Sequence, residues 1–247
     1  MPDIPFFIIP LITLLAFFIK SATGFGTALI LVPLGTVFVG AHHTIVFSSI
    51  LDVVGGIILF LNNPMPESRR FWIPMSAAIV TGSIIGGIIL KFFPLHGFEF
   101  FMGVFIIVLG LWFLFGRGGN NDSSLSPTPP ENASSGDLAV SAFSGLCGGL
   151  FGISGPPIVF YLGTRLAKTA LRSMLIAIFL FGSSARMMTY LVMGLMDLRA
   201  ITLSVVSIPA LLLGLYLGNH LFIRIREIWF SRLIGAVLIL SALRLIL

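Results

Sequence analysis

Long apolar runs separated by short polar knots make up most of this chain. The runs span about residues 4–39, 43–61, 71–93, 97–116, 138–164, 173–195, 199–223 and 228–247. The knots are brief, such as Asn62-Asn63-Pro64-Met65-Pro66-Glu67, Pro94-Leu95-His96 and Met196-Asp197. A helix needs about 20 apolar residues to cross the hydrocarbon core of a bilayer. The runs show none of the alternation that marks barrel strands, so they predict an all-α, polytopic transmembrane helical bundle.

Two runs differ from the rest. Residues 4–39 are too long for one ordinary span and too short for two. Their middle reads Ser21-Ala22-Thr23-Gly24-Phe25-Gly26-Thr27, and the corresponding part of 138–164 reads Gly152-Ile153-Ser154-Gly155-Pro156-Pro157. Glycine and proline interrupt helical hydrogen bonding. Broken backbone at membrane depth survives only inside protein or beside a water-filled cavity. Each of these runs therefore predicts a broken or re-entrant helix.

Residues 117–137 are rich in Gly, Asn, Ser and Pro and read as a polar linker. They separate a first transmembrane repeat, 1–116, from a second, 138–247. Sliding one half onto the other by 128 positions places Gly24 on Gly152, Ile30 on Ile158, and Leu34-Gly35-Thr36 on Leu162-Gly163-Thr164. The same shift matches Ile50 with Ile178, Ser76 with Ser204 and Gly86 with Gly214. Repeats in transporters place the substrate site at their interface.

Composition agrees with the pattern. Charged residues are 9% of the chain, against roughly 25% in soluble domains, and the mean hydropathy is +1.10. The net charge of +5 gathers in no basic domain, which argues against a nucleic-acid partner; the basic residues sit in short loops, where they set orientation. If every run crosses, the loops split 7 basic residues against 5. If the first run of each half enters and returns, the split is 9 against 3, with only Lys91, Arg199 and Arg244 on the minor side. The positive-inside rule prefers the second arrangement, with inverted halves, both termini outside and the linker in the cytoplasm. The expected location is the cell membrane, inner or plasma, as a multi-pass protein. The start lacks a signal peptide's positive region and cleavage site, and reads as mature structure. Cys147 is the only cysteine, so no intrachain disulfide or thiolate cluster forms. His42, His43, His96 and His220 lack zinc spacing and read as interfacial. No cofactor or metal is implied. Apolar faces also pack between chains, so the sequence allows a homodimer.

The two breaks carry the chemistry. Helix N-termini expose unpaired N–H groups and partial positive charge, so two half-helix N-termini meeting at the midplane make an anion site. Gly24, Gly26, Thr27, Ser154, Gly155 and Pro156 belong to this predicted cradle, with hydroxyl donors from Ser21, Thr23, Thr27 and Ser154. Arg186 lies mid-run and can hold a carboxylate or sulfonate through two parallel hydrogen bonds. Lys20 precedes the first break by a helical turn and Tyr190 follows Arg186 by one; both are candidate donors. Asp52, also mid-run, either pairs with Arg186 or carries a coupling proton.

These motifs resemble the sulfite exporter TauE/SafE family, also called the 4-toluene sulfonate uptake permeases. In that family a duplicated module opens with a Gly-rich stretch followed by proline. Here the first copy reads Gly24-Phe25-Gly26-Thr27-Ala28-Leu29-Ile30-Leu31-Val32-Pro33-Leu34, and the second runs from Gly145 to Pro157. Ser154, Pro156 and Pro157 stand where the family's second copy usually has glycines, and Tyr161 where it has proline. The resemblance implies secondary transport of sulfite, an organosulfonate or a related small anion. An anion channel is an alternative, since the same half-helices can line a pore. A rhomboid-like intramembrane serine protease using Ser154 is a remoter one; it needs a histidine within reach, and His220 is the candidate.

Overall fold

The computed structural model describes residues 4–93, 95–115, 126, 128–221, 238–239 and 241–242. Almost all of the last apolar run and residues 117–125 and 127 of the linker lie outside the described residues, as do Arg224, Arg226, Arg232 and Arg244. The elements are α1 (Ile4–Thr23), α2 (Thr27–Val39), α3 (Ala41–Asn62), α4 (Arg69–Phe92), α5 (Leu95–Phe115), α6 (Ser135–Phe151), α7 (Gly155–Gly163), α8 (Lys168–Val192) and α9 (Leu198–Leu221). The fold is all-α. Among the described residues, α3, α4, α8 and most of α9 are long and apolar enough to cross a membrane. Large apolar side chains such as Phe92, Phe101, Val192 and Leu198 face outward, as a surface in contact with lipid requires.

Both predicted breaks are present. Gly24 and Gly152 close them with φ of +82° and +77°, a left-handed conformation that costs other residues about 1–2 kcal/mol. At the first break α1 ends at Thr23 and α2 starts at Thr27; at the second, α6 ends at Phe151 and α7 starts at Gly155. Adding 128 to the bounds of α1 to α4 gives 132–151, 155–167, 169–190 and 197–220, close to the observed bounds of α6 to α9. The polar stretch expected to reach residue 137 is already helical at Ser135. A capping box explains the earlier start: Ser134 and Asp137 satisfy each other's backbone N–H groups.

After each break the chain returns toward the end from which it came. At the second, Arg165, just beyond α7, pairs at 3.1 Å with Asp137 in the first turn of α6. At the first, α9 runs parallel to α1, with Gly214 against Leu14 and Gly218 against Phe18. His43, just past α2, meets Asp197, just before α9, at 3.1 Å. The outer end of α2 is therefore level with the start of α1. The remaining loops agree on two ends. Ser68 donates to Glu131 and Ser126 to Arg165 at one end, and Lys91 donates to the Met193 carbonyl at the other.

The packing pairs the halves across the molecule. α6 lies on α4, α1 on α9, and α3 on α8, while α8 and α9 also touch α4 and α3 respectively. The α4–α6 contact is backbone to backbone. A methyl group at Gly82 would overlap the carbonyl of Ala142, and one at Gly145 or Gly149 the carbonyls of Ile79 and Ser83. Small residues permit such approach between membrane helices. One core cluster includes Phe17, Leu31, Phe47 and Leu51, a second Phe71, Met75, Ile158 and Leu175, and Phe25 packs against both.

Candidate functional site

The breaks and the mid-helix charges converge. Lys20 on α1, Asp52 on α3 and Arg186 on α8 are 5%, 7% and 3% exposed, so each charge needs a partner. Lys20 Nζ donates to Asp52 Oδ1 at 2.6 Å, and Arg186 Nη2 donates to Asp52 Oδ2 at 2.9 Å. Thr27, the first residue of α2, adds its hydroxyl to Oδ1 at 2.8 Å. One carboxylate thus joins α1, α2, α3 and α8.

Arg186 is also held from behind. Its Nη1 donates to the carbonyls of Gly152 at 2.8 Å and Gly148 at 3.3 Å. These are carbonyls at the C-terminal end of α6, whose partial negative charge suits a cation. The break that ends α6 at Gly152 leaves that acceptor unused by any further helical turn. Tyr190, one turn beyond Arg186, donates to Gly149 at 2.7 Å and helps clamp α8 to α6.

A cavity of about 30 Å³ opens beside this network, room for water or a very small ion in this conformation. Lys20, Gly26, Thr27, Asp52, Ser154, Gly155 and Arg186 line it. Thr23, Gly24, Pro156 and Tyr190 are not among its lining residues. The Thr23 hydroxyl turns back onto its own loop, 2.6 Å from the Phe25 carbonyl, and Ser21 donates to Leu215 on α9. Phe25, Ala28, Ser83, Gly148, Phe179, Gly182 and Ser183 complete the wall. Gly182 and Ser183 precede Arg186 by four and three positions, so helical spacing puts them on its face; Ser83 reaches the wall only because α4 packs against α6 and α8.

The donors around the cavity are unequal. Gly26 caps the start of α2 with φ of +105° and no side-chain cap; the Leu29 N–H donates to the Gly26 carbonyl, which leaves the N–H groups of Thr27 and Ala28 without a helical partner. α7 starts Ser154-Gly155-Pro156-Pro157, with no side-chain cap either, but its prolines carry no N–H. Among the described residues, the cavity lining includes no histidine; His220 sets Nδ1 2.9 Å from the Tyr216 carbonyl. The histidine that the protease reading needs beside Ser154 is thus not among the described residues of the lining.

The family model of the sulfite exporter TauE/SafE proteins matches residues 9–245. The chain belongs to this family. It is similar to the probable sulfite/organosulfonate exporter TauE of Cupriavidus necator, at 24% identity over 215 residues that cover 82% of this chain and 78% of the relative. No solved structure matches. As a TauE/SafE protein with several spanning helices, the chain is a multi-pass cell-membrane transporter, and its network of buried charges lies where the two halves meet.

Proposed function

We propose that this TauE/SafE protein is a secondary transporter that moves a small sulfur anion, sulfite or an organosulfonate, by alternating access. The observation that carries the reading is the cavity between the two breaks, where buried Lys20 and Arg186 stand beside the uncapped start of α2. Cations and helix N-termini together attract an oxyanion. The Cupriavidus relative's description as an exporter of sulfite or organosulfonate supports the chemical class.

The common offset of the helix bounds and the opposite directions of α1 and α6 support reading the halves as inverted repeats. Inverted repeats give a transporter two conformations related by exchange of the halves' roles. Substrate enters from one side, the halves rock about the α3–α8 contact, and the cavity opens to the other side. Arg69, Arg70, Arg165, Lys168 and Arg172 mark one end of the molecule and Lys91 and Arg199 the other, so the first end faces the cytoplasm.

The test is uptake into proteoliposomes of sulfite, methanesulfonate, a short carboxylate and chloride. Saturable counter-exchange of the sulfur anions, lost in Arg186→Ala, is the expected result. Linear, non-exchanging flux would favour a channel. Absence of flux for every anion in folded protein would overturn the reading.

A further inference from the structure

Lys20 and Arg186 bring two positive charges to the cavity and Asp52 brings one negative charge. Among the described residues, no other charged side chain lines it. One positive charge is therefore left over, on side chains that are themselves buried. Donors are left over too. Arg186 Nε is buried without a hydrogen-bond partner. Lys20 has three N–H donors, and its two hydrogen bonds both go to Asp52, to the carboxylate and the main-chain carbonyl. Surplus charge and surplus donors both suit an anion.

We propose that the site selects a singly charged anion, and that Asp52 sets this valence by permanently occupying one of the two cations. The inference rests on the transport reading above and narrows its substrate class. A monoanion brings the cluster to neutrality. A dianion leaves one negative charge buried and unpaired, which low-dielectric surroundings penalise. Asp52 is a tethered anion fixed by Thr27 from α2 as well as by both cations, so the substrate joins it and does not replace it. Simple sulfonates fit this valence, as does sulfite carrying one proton.

The test uses two anions of matching tetrahedral shape, methanesulfonate and methylphosphonate, in alkaline buffer where the second is doubly charged. Binding to purified full-length protein is read by titration calorimetry, and counter-exchange by proteoliposomes. Wild type should prefer methanesulfonate by at least about tenfold. Asp52→Asn raises the cluster to two positive charges and should move the ratio toward methylphosphonate by about tenfold or more. Lys20→Gln combined with Asp52→Asn returns the cluster to one positive charge, and the monoanion preference should return. That last result separates charge counting from a merely structural role for Asp52, because the double variant lacks both partners. Equal affinity for the two anions in wild type, or an unmoved ratio in folded Asp52→Asn, would overturn the valence while leaving the transporter reading in place. Binding and exchange of neither anion would overturn both.

Discussion

Both breaks turn on a left-handed glycine, Gly24 and Gly152, yet two residues on Gly26 is left-handed at φ +105° while Ser154 is right-handed at φ −96°, and the breaks bring different groups to the cavity. At the first, the side chain one turn before the break is Lys20, and the start of α2 presents Gly26, Thr27 and Ala28 to the cavity. At the second, Gly148 stands where the 128-residue shift would place a partner for Lys20, and its carbonyl accepts from Arg186. Prolines 156 and 157 take donors away from the start of α7. The first break therefore offers donors to the cavity, while the second holds the Arg186 guanidinium beside it. A broken helix offers both a donor end and an acceptor end, and the side chains around it decide which end is used.

Removing Arg186 should affect this comparison most. Arg186→Ala leaves the carbonyls of Gly148 and Gly152 without their shared donor and strips Asp52 of one partner. A loss of about 3–5 kcal/mol follows for a broken buried pair, read as a fall in thermal unfolding temperature in detergent, together with loss of exchange. An unchanged unfolding temperature would show that the second break does not depend on this cation.

The glycines at the breaks give the next effect. A methyl at Gly24 would come within 2.9 Å of the Arg172 carbonyl oxygen, whereas one at Gly152 would meet side-chain atoms of Val32 and Ile45 at 3.1 and 3.3 Å. Both substitutions carry the left-handed penalty of about 1–2 kcal/mol. Gly24→Ala should be the more damaging, since backbone yields less than side chains; equal loss in the two variants would remove that distinction.

Thr27→Val should cost about 1.5 kcal/mol, in the range for a hydrogen bond to a charged group, and should weaken anion exchange because Asp52 loses a fixing contact. Ser154→Ala should change stability by less than about 0.5 kcal/mol and leave exchange within a few-fold of wild type. Abolished exchange in Ser154→Ala would make the second break an anion ligand equal to the first.

Much of this architecture is legible before folding. Apolar runs predict the helices, and the Gly-Phe-Gly and Gly-Pro-Pro stretches locate both breaks, because hydropathy and backbone freedom are local properties. Basic residues in the loops also favour returning segments over crossing ones, as the Asp137–Arg165 and His43–Asp197 pairs now place them. The start of α6 is less legible, since its capping box lies in sequence that otherwise reads as linker. Lys20, Asp52 and Arg186 stand out as charges inside apolar segments. Their three-way junction does not, because Lys20 and Arg186 are joined to Asp52 across 32 and 134 positions.

Sequence alone determined that the chain lives in a membrane, where its helices break and which charges are too costly to bury without a purpose. Tertiary structure decided that one carboxylate serves two cations, that Tyr190 clamps α8 to α6, and that carbonyls at the end of α6 hold Arg186. The division has a physical cause. Burial cost and helix interruption act on a residue and its near neighbours, whereas charge balance is settled only when packing brings distant helices into contact.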